Sequence, residues 1–108
     1  NFVHIRDVAD GFIFAIRNAA AMTGKAFNLG LDAANMSKIE LAEKVREQVP
    51  GFVITCSELR SDPDKRNYIV SNERLRQAGF EAKRSIEDGV RELLKGYHML
   101  PRSPFKNI

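Results

Sequence analysis

The sequence predicts an α/β fold, a small lobe of short strands and about four helices. Three observations carry this expectation. Apolar residues recur at spacings of three and four from Asp7 to Met22 and from Ile86 to Tyr97. A β-branched run, Phe52 to Cys56, reads as a strand. Strand-like and helical stretches also follow one another along a chain of 108 residues, 44% hydrophobic and 29% charged, the composition of one globular unit.

Taken in order, Asn1 to Ile5 has a β-rich composition and begins without a polar lead-in, like a chain cut from something longer. The helix from Asp7 to Met22 carries Val8, Phe12, Ala15, Ile16 and Ala19 on one face. Ile13 and Phe14 make its other face apolar too, so it asks for cover on two sides. Gly24 ends it, and Lys25 to Gly30 reads as a short strand running into a turn. Ser37 and Glu40 form an S-x-x-E capping box for a helix with Ile39, Leu41, Ala42, Val45 and Val49 on its core face, closed by Pro50 and Gly51. After the Phe52 to Cys56 strand comes a charged loop, then a short strand from Asn67 to Val70. Ser71 can cap a helix from Asn72 to Ala78, with Gly79 in the left-handed position that stops it. Ser85, with Asp88 three residues on, opens the last helix, whose Ile86, Gly89, Val90, Leu93, Leu94 and Tyr97 form an apolar stripe. Residues 1–97 thus make one lobe, and 98–108, with two prolines and no period, a tail.

Composition narrows the chemistry. A net charge of +3 permits an anionic partner without specifying one. Cys56, the single cysteine, excludes an intrachain disulfide and a cysteine metal site and fits a reduced, partly buried, cytoplasmic thiol. His4 and His98 are too few for a zinc site, and no apolar run approaches the ~20 residues of a membrane helix. The seven glycines never fall as G-x-G-x-x-G or G-x-x-x-x-G-K, and no Y-x-x-x-K pair is present. The chain holds no complete active site, so no residue is assigned a catalytic role.

The charged loop is the remaining candidate. In SDPDKRNYIV, Pro63 stiffens the backbone between Asp62 and Asp64, and Lys65 and Arg66 follow. An arginine fork matches a phosphate and an aspartate accepts from ribose hydroxyls, so the pair Arg66 and Asp64 suits a nucleoside diphosphate. The competing reading is a solvated turn whose salt bridges contribute little.

Four stretches carry a resemblance. NFVHIRDVADGFIFAI, KAFNLG, ANMSKIELAEKV and DPDKRNYIVSNERLRQAGFEAKRSIEDGVRELLKGY follow in register and order the R-D-F-V-H-V-x-D-V-A, Y-N-[VIL]-G, [NS]-x-S-x-x-E-L-A and C-terminal D-x-x-K motifs of the extended short-chain dehydrogenase/reductase family. The chain resembles the C-terminal, substrate-binding portion of that family's sugar-nucleotide epimerases and dehydratases, from Asn1 to Tyr97. The resemblance implies a nucleoside-diphosphate sugar as ligand. It also implies NAD or NADP as the parent enzyme's cofactor, none of it held by this chain, and an N-terminal Rossmann domain as the missing partner that covers the second face of the first helix. By the same resemblance Asn35 lies where the family sets a polar side chain against the nucleotide, Arg60 or Arg66 grips the diphosphate, and Asp64 reaches the ribose. His4 and Asp7 match a recurrent H-x-x-D pattern, read as a buried hydrogen bond and a helix start.

Two other readings stand beside it. Arg74, Arg76, Lys83, Arg84, Arg91 and Lys95 could form a nucleic-acid surface, although Glu73, Glu87, Asp88 and Glu92 among them would repel phosphates. The apolar first helix could pair with a second copy, making a homo-oligomer.

Overall fold

The structure, a computed structural model, describes residues 1–56 and 68–99. Five α-helices run through them: α1 (Ile5–Arg17), α2 (Ala19–Met22), α3 (Lys38–Gln48), α4 (Glu73–Gln77) and α5 (Ile86–Met99), with a single 3₁₀ turn at Asp32–Ala34. There is no strand and no sheet among the described residues, which corrects the predicted α/β class: the lobe is helical.

The reason lies in how the predicted strands are held. Asn1 to His4 is held to the Leu31–Ala34 turn by a backbone bond from the Phe2 N–H to the Ala34 carbonyl at 3.0 Å and by Asn1 Nδ2 on the Leu31 carbonyl at 2.9 Å, and the His4 carbonyl otherwise starts α1 by accepting from the Val8 N–H. The Lys25–Gly30 and Tyr68–Val70 stretches are joined to their surroundings by side chains, Asn28, Asn35 and Arg74, instead of a backbone ladder. Residues 52–56 have no ladder partner among the described residues either: Val53 is 79% exposed, and Cys56, expected to be partly buried, is exposed too. β-branched composition favours extended backbone, but a strand exists only where a second strand takes up its N–H and C=O groups.

Helix ends follow local chemistry more closely. His4 caps α1, its Nδ1 accepting from the Arg6 N–H at 3.1 Å. The predicted single helix from Asp7 to Met22 is broken at Asn18, whose backbone N–H and side-chain Nδ2 both donate to the Phe14 carbonyl, at 3.0 and 2.8 Å. An asparagine competing for a carbonyl of the preceding turn is a common helix stop. Ser37 and Glu40 form the reciprocal box that starts α3, with Ser37 N to Glu40 Oε2 at 2.7 Å and Glu40 N to Ser37 Oγ at 3.3 Å. Ser85 and Asp88 repeat it for α5. Gly79, at φ 103°, ends α4 in the left-handed region. Helix α5 continues through His98 and Met99, two residues beyond the predicted lobe boundary at Tyr97.

Helix α3 lies against α5, with Lys44 reaching Glu87 at 3.3 Å. The core is thin: Met22, Ala34, Leu75, Ala82 and Val90 are its buried apolar side chains among the described residues. The Phe14 and Phe80 rings add a tilted contact with centroids 5.5 Å apart. The inward side of α1 is not the one the apolar spacing predicts. Asp7 and Gly11 are its buried positions, whereas Phe12 and Ile16 are 67% and 75% exposed. Asp7 sets this rotation, because its Oδ2 accepts from the Lys83 and Arg84 N–H groups at 3.1 and 2.9 Å and its Oδ1 from Arg84 Nη1 at 2.5 Å. Gly11 confirms it: Leu29 occupies the space a Cβ there would need. No helix among the described residues is long and apolar enough to cross a membrane.

Candidate functional site

The turn Asp32–Asn35 and the segment Val70–Arg76 form a polar junction separate from Asp7. The turn closes with its own backbone bonds, Ala34 N to Leu31 O at 2.8 Å and Asn35 N to Asp32 O at 3.3 Å. Two small alanines let it wind tightly and bury Ala34 completely. Asp32 and Asn35 then project from its two ends.

Asn35 takes hold of both backbone polar groups of one residue, Val70. Its Nδ2 donates to the Val70 carbonyl at 2.9 Å and its Oδ1 accepts from the Val70 N–H at 3.0 Å. This two-bond pairing imitates one rung of a sheet with a side chain. Asn28 adds a bond from its Nδ2 to the Ser71 carbonyl at 3.1 Å. Asp32 accepts from Asn72 Nδ2 at 2.7 Å and from Arg76 Nη1 at 3.2 Å. Glu73 pairs with the other arm of Arg76 and keeps that guanidinium charged above its ordinary range, with Asp32 assisting. Three successive residues, 70 to 72, are therefore each tied to the stretch between 28 and 35.

Beside the junction lies a cavity of about 280 Å³ whose walls include Asp32, Asn72, Leu75, Arg76 and Phe80. Behind it the Oδ1 atoms of Asn1 and Asn72 are buried without a hydrogen-bond partner. Both crowd Gly30: Asn1 Oδ1 stands in the place a Cβ would occupy and Asn72 Oδ1 lies 3.2 Å from it, so a side chain there would have to displace Asn1. No group of three or more His, Cys, Asp or Glu side chains among the described residues is placed to hold a metal ion.

Of the four residues predicted to bind substrate, Asn35 is at this junction. Arg60, Asp64 and Arg66 lie outside the described residues. The H-x-x-D pair has structural work: His4 caps α1 and its Nε2 lies 3.4 Å from Glu92, while Asp7 is 3% exposed beneath the start of α5. Asp32 and Asn72 went unnoticed in the sequence. The usable signal was the D-A-A-N string, an acid and an amide three residues apart around small residues, which suits a turn with both side chains free to bond outward.

The basic residues of the last two helices are largely engaged within the chain. Arg74 donates to the Ala26 carbonyl at 2.9 Å, Arg84 pairs with Asp10 at 2.8 Å as well as with Asp7, and Arg91 pairs with Asp88 at 2.9 Å. No protein-family model matches the sequence.

Proposed function

We propose that the chain is the substrate-holding portion of an NAD(P)-dependent sugar-nucleotide epimerase or dehydratase. On this reading it grips a nucleoside-diphosphate sugar through the Arg60–Arg66 segment while hydride chemistry is supplied by a cofactor bound on a separate Rossmann domain. The observation that carries it is the pairing of Asn35 with Val70. The motif resemblance assigns the Asn35 turn and the segment ending just before Val70 to the same ligand, and the hydrogen bonds join one to the exit of the other. The 108 residues contain no glycine-rich dinucleotide loop, so the cofactor has no cradle in this chain and its residues contribute binding only.

Exposed apolar side chains on α1 support the reading. Ile5, Phe12, Ile13 and Ile16 stand in water, a surface suited to a covering domain. The alternative of a nucleic-acid module is weakened by Arg76, Arg84 and Arg91, whose guanidinium groups already face carboxylates. A lone cysteine, Cys56, accords with a cytoplasmic setting.

Titrating the chain and its Arg60→Ala, Arg66→Ala and Asp64→Ala variants with UDP tests the proposal. A charged hydrogen bond contributes about 1.5 to 3 kcal/mol, so the arginine that holds the diphosphate should lose roughly ten- to hundredfold in affinity on truncation. Asp64→Ala should lose the smaller ribose contact. Unchanged affinity in both arginine variants would return the segment to a solvated turn.

A further inference from the structure

We infer that the cavity between the end of α2 and α4 binds a small organic anion, a phosphate or carboxylate head joined to a flat apolar body, with Lys25 and Arg74 holding the head. The inference stands apart from the nucleotide-sugar reading and uses none of its residues.

The cavity has a volume of about 590 Å³, and its walls include Asn18, Met22, Lys25, Phe27, Arg74 and Gln77. Two cations face one space, and no carboxylate of the described residues lines it. Arg6, Lys44, Arg76, Arg84 and Arg91 each meet a carboxylate. Lys25 and Arg74 meet backbone carbonyls instead: Lys25 Nζ donates to Ala21 O at 2.8 Å and Arg74 Nη1 to Ala26 O at 2.9 Å. These bonds hold each group at the cavity without neutralising it, and each spends one donor of an ammonium or guanidinium that has several. Glu73, the neighbour of Arg74 in sequence, is already engaged, since Arg76 pairs with it and Gln77 Nε2 donates to it at 2.9 Å. Two like charges around one space repel each other, and an anion between them relieves the repulsion.

The rest of the wall selects the kind of anion. Ala21, Met22, Phe27 and Ala78 make it apolar, and Met22 is buried. Inorganic phosphate leaves that surface in water, whereas an aromatic anion covers it, with a methionine sulfur and a phenylalanine ring to pack against.

Phenyl phosphate and benzoate, titrated into the 108-residue chain and followed by calorimetry and by amide chemical shifts in NMR, test the inference. The expected result is saturable shifts at Met22, Lys25, Phe27, Arg74 and Gln77 with at least one probe at millimolar concentration, the tighter probe identifying the head group. Phenol and inorganic phosphate, the separate halves, should bind roughly tenfold or more weakly. Lys25→Gln and Arg74→Gln should each weaken the probe by about three- to tenfold, a modest loss because both side chains are exposed. Lys95→Gln removes the same charge from α5, away from the cavity, and should leave affinity unchanged. If a charge variant does not fold, added salt on the unmodified chain replaces it and should weaken the probe. Absence of shifts at these residues, either half binding as tightly as the whole, unchanged affinity in both Lys25→Gln and Arg74→Gln, or an equal loss in Lys95→Gln would each overturn the inference.

Discussion

At Asp7 a carboxylate that is almost wholly out of water accepts three hydrogen bonds from residues 83 and 84. Asp10, one turn on, meets the same Arg84 side chain but is half exposed. The difference in burial decides the expected outcomes. Asp7→Ala leaves the Lys83 and Arg84 backbone N–H groups without their acceptor, while Arg84 keeps Asp10, and should destabilise by about 1 to 3 kcal/mol, the range for buried donors left unsatisfied. Asp10→Ala should change stability by less than about 1 kcal/mol. Urea unfolding of the two variants measures both. The Asp7 role was half legible in advance: H-x-x-D points to a helix start and a buried bond, but the acceptor's partners lie 76 and 77 residues away, and no local pattern announces them.

The helices show which elements a sequence can declare. Starts of α3 and α5 were readable because a serine and an acid three residues apart satisfy each other's backbone donors within one turn. Strands were misread because their existence depends on a distant partner, and here Asn28 and Asn35 take the partner's place. The caps also carry pH dependence. Ser37 holds the Glu40 carboxyl below its ordinary value, through the backbone bond first and the hydroxyl second, and Ser85 does the same for Asp88. A carboxyl whose folded value is depressed adds stability above its unfolded value, near 4, and loses it as the pH falls through the lower folded value. The double variant Glu40→Gln, Asp88→Asn should therefore lose less stability between pH 7 and pH 3 than the unmodified chain, as read by urea unfolding at the two pH values. In α5, Gly96 has open space where a Cβ would sit. Gly96→Ala should raise stability by about 0.5 to 1 kcal/mol through helix propensity alone, which thermal unfolding can measure.

For the whole molecule, the thin core and the exposed face of α1 set the behaviour in solution. Phe12 and Ile16 stand largely in water, and large apolar groups left there favour association. The double variant Phe12→Ser, Ile16→Ser should lower the average mass seen by light scattering at high concentration. Its unfolding midpoint should shift little, because neither side chain belongs to the core. A monomeric unmodified chain would remove the reason to expect a covering partner.

The bonds from Asp7 to residues 83 and 84 also impose an order on synthesis. At roughly 5 to 20 residues per second, a ribosome takes on the order of 4 to 15 s to travel from one to the other. Through that interval the earliest helix of the lobe has neither its acceptor filled nor its inward face seated, and its apolar side chains are open to capture. The α1 side of the nascent lobe is thus open to chaperones and to misassembly until residues 83 and 84 have been made and can fill that acceptor.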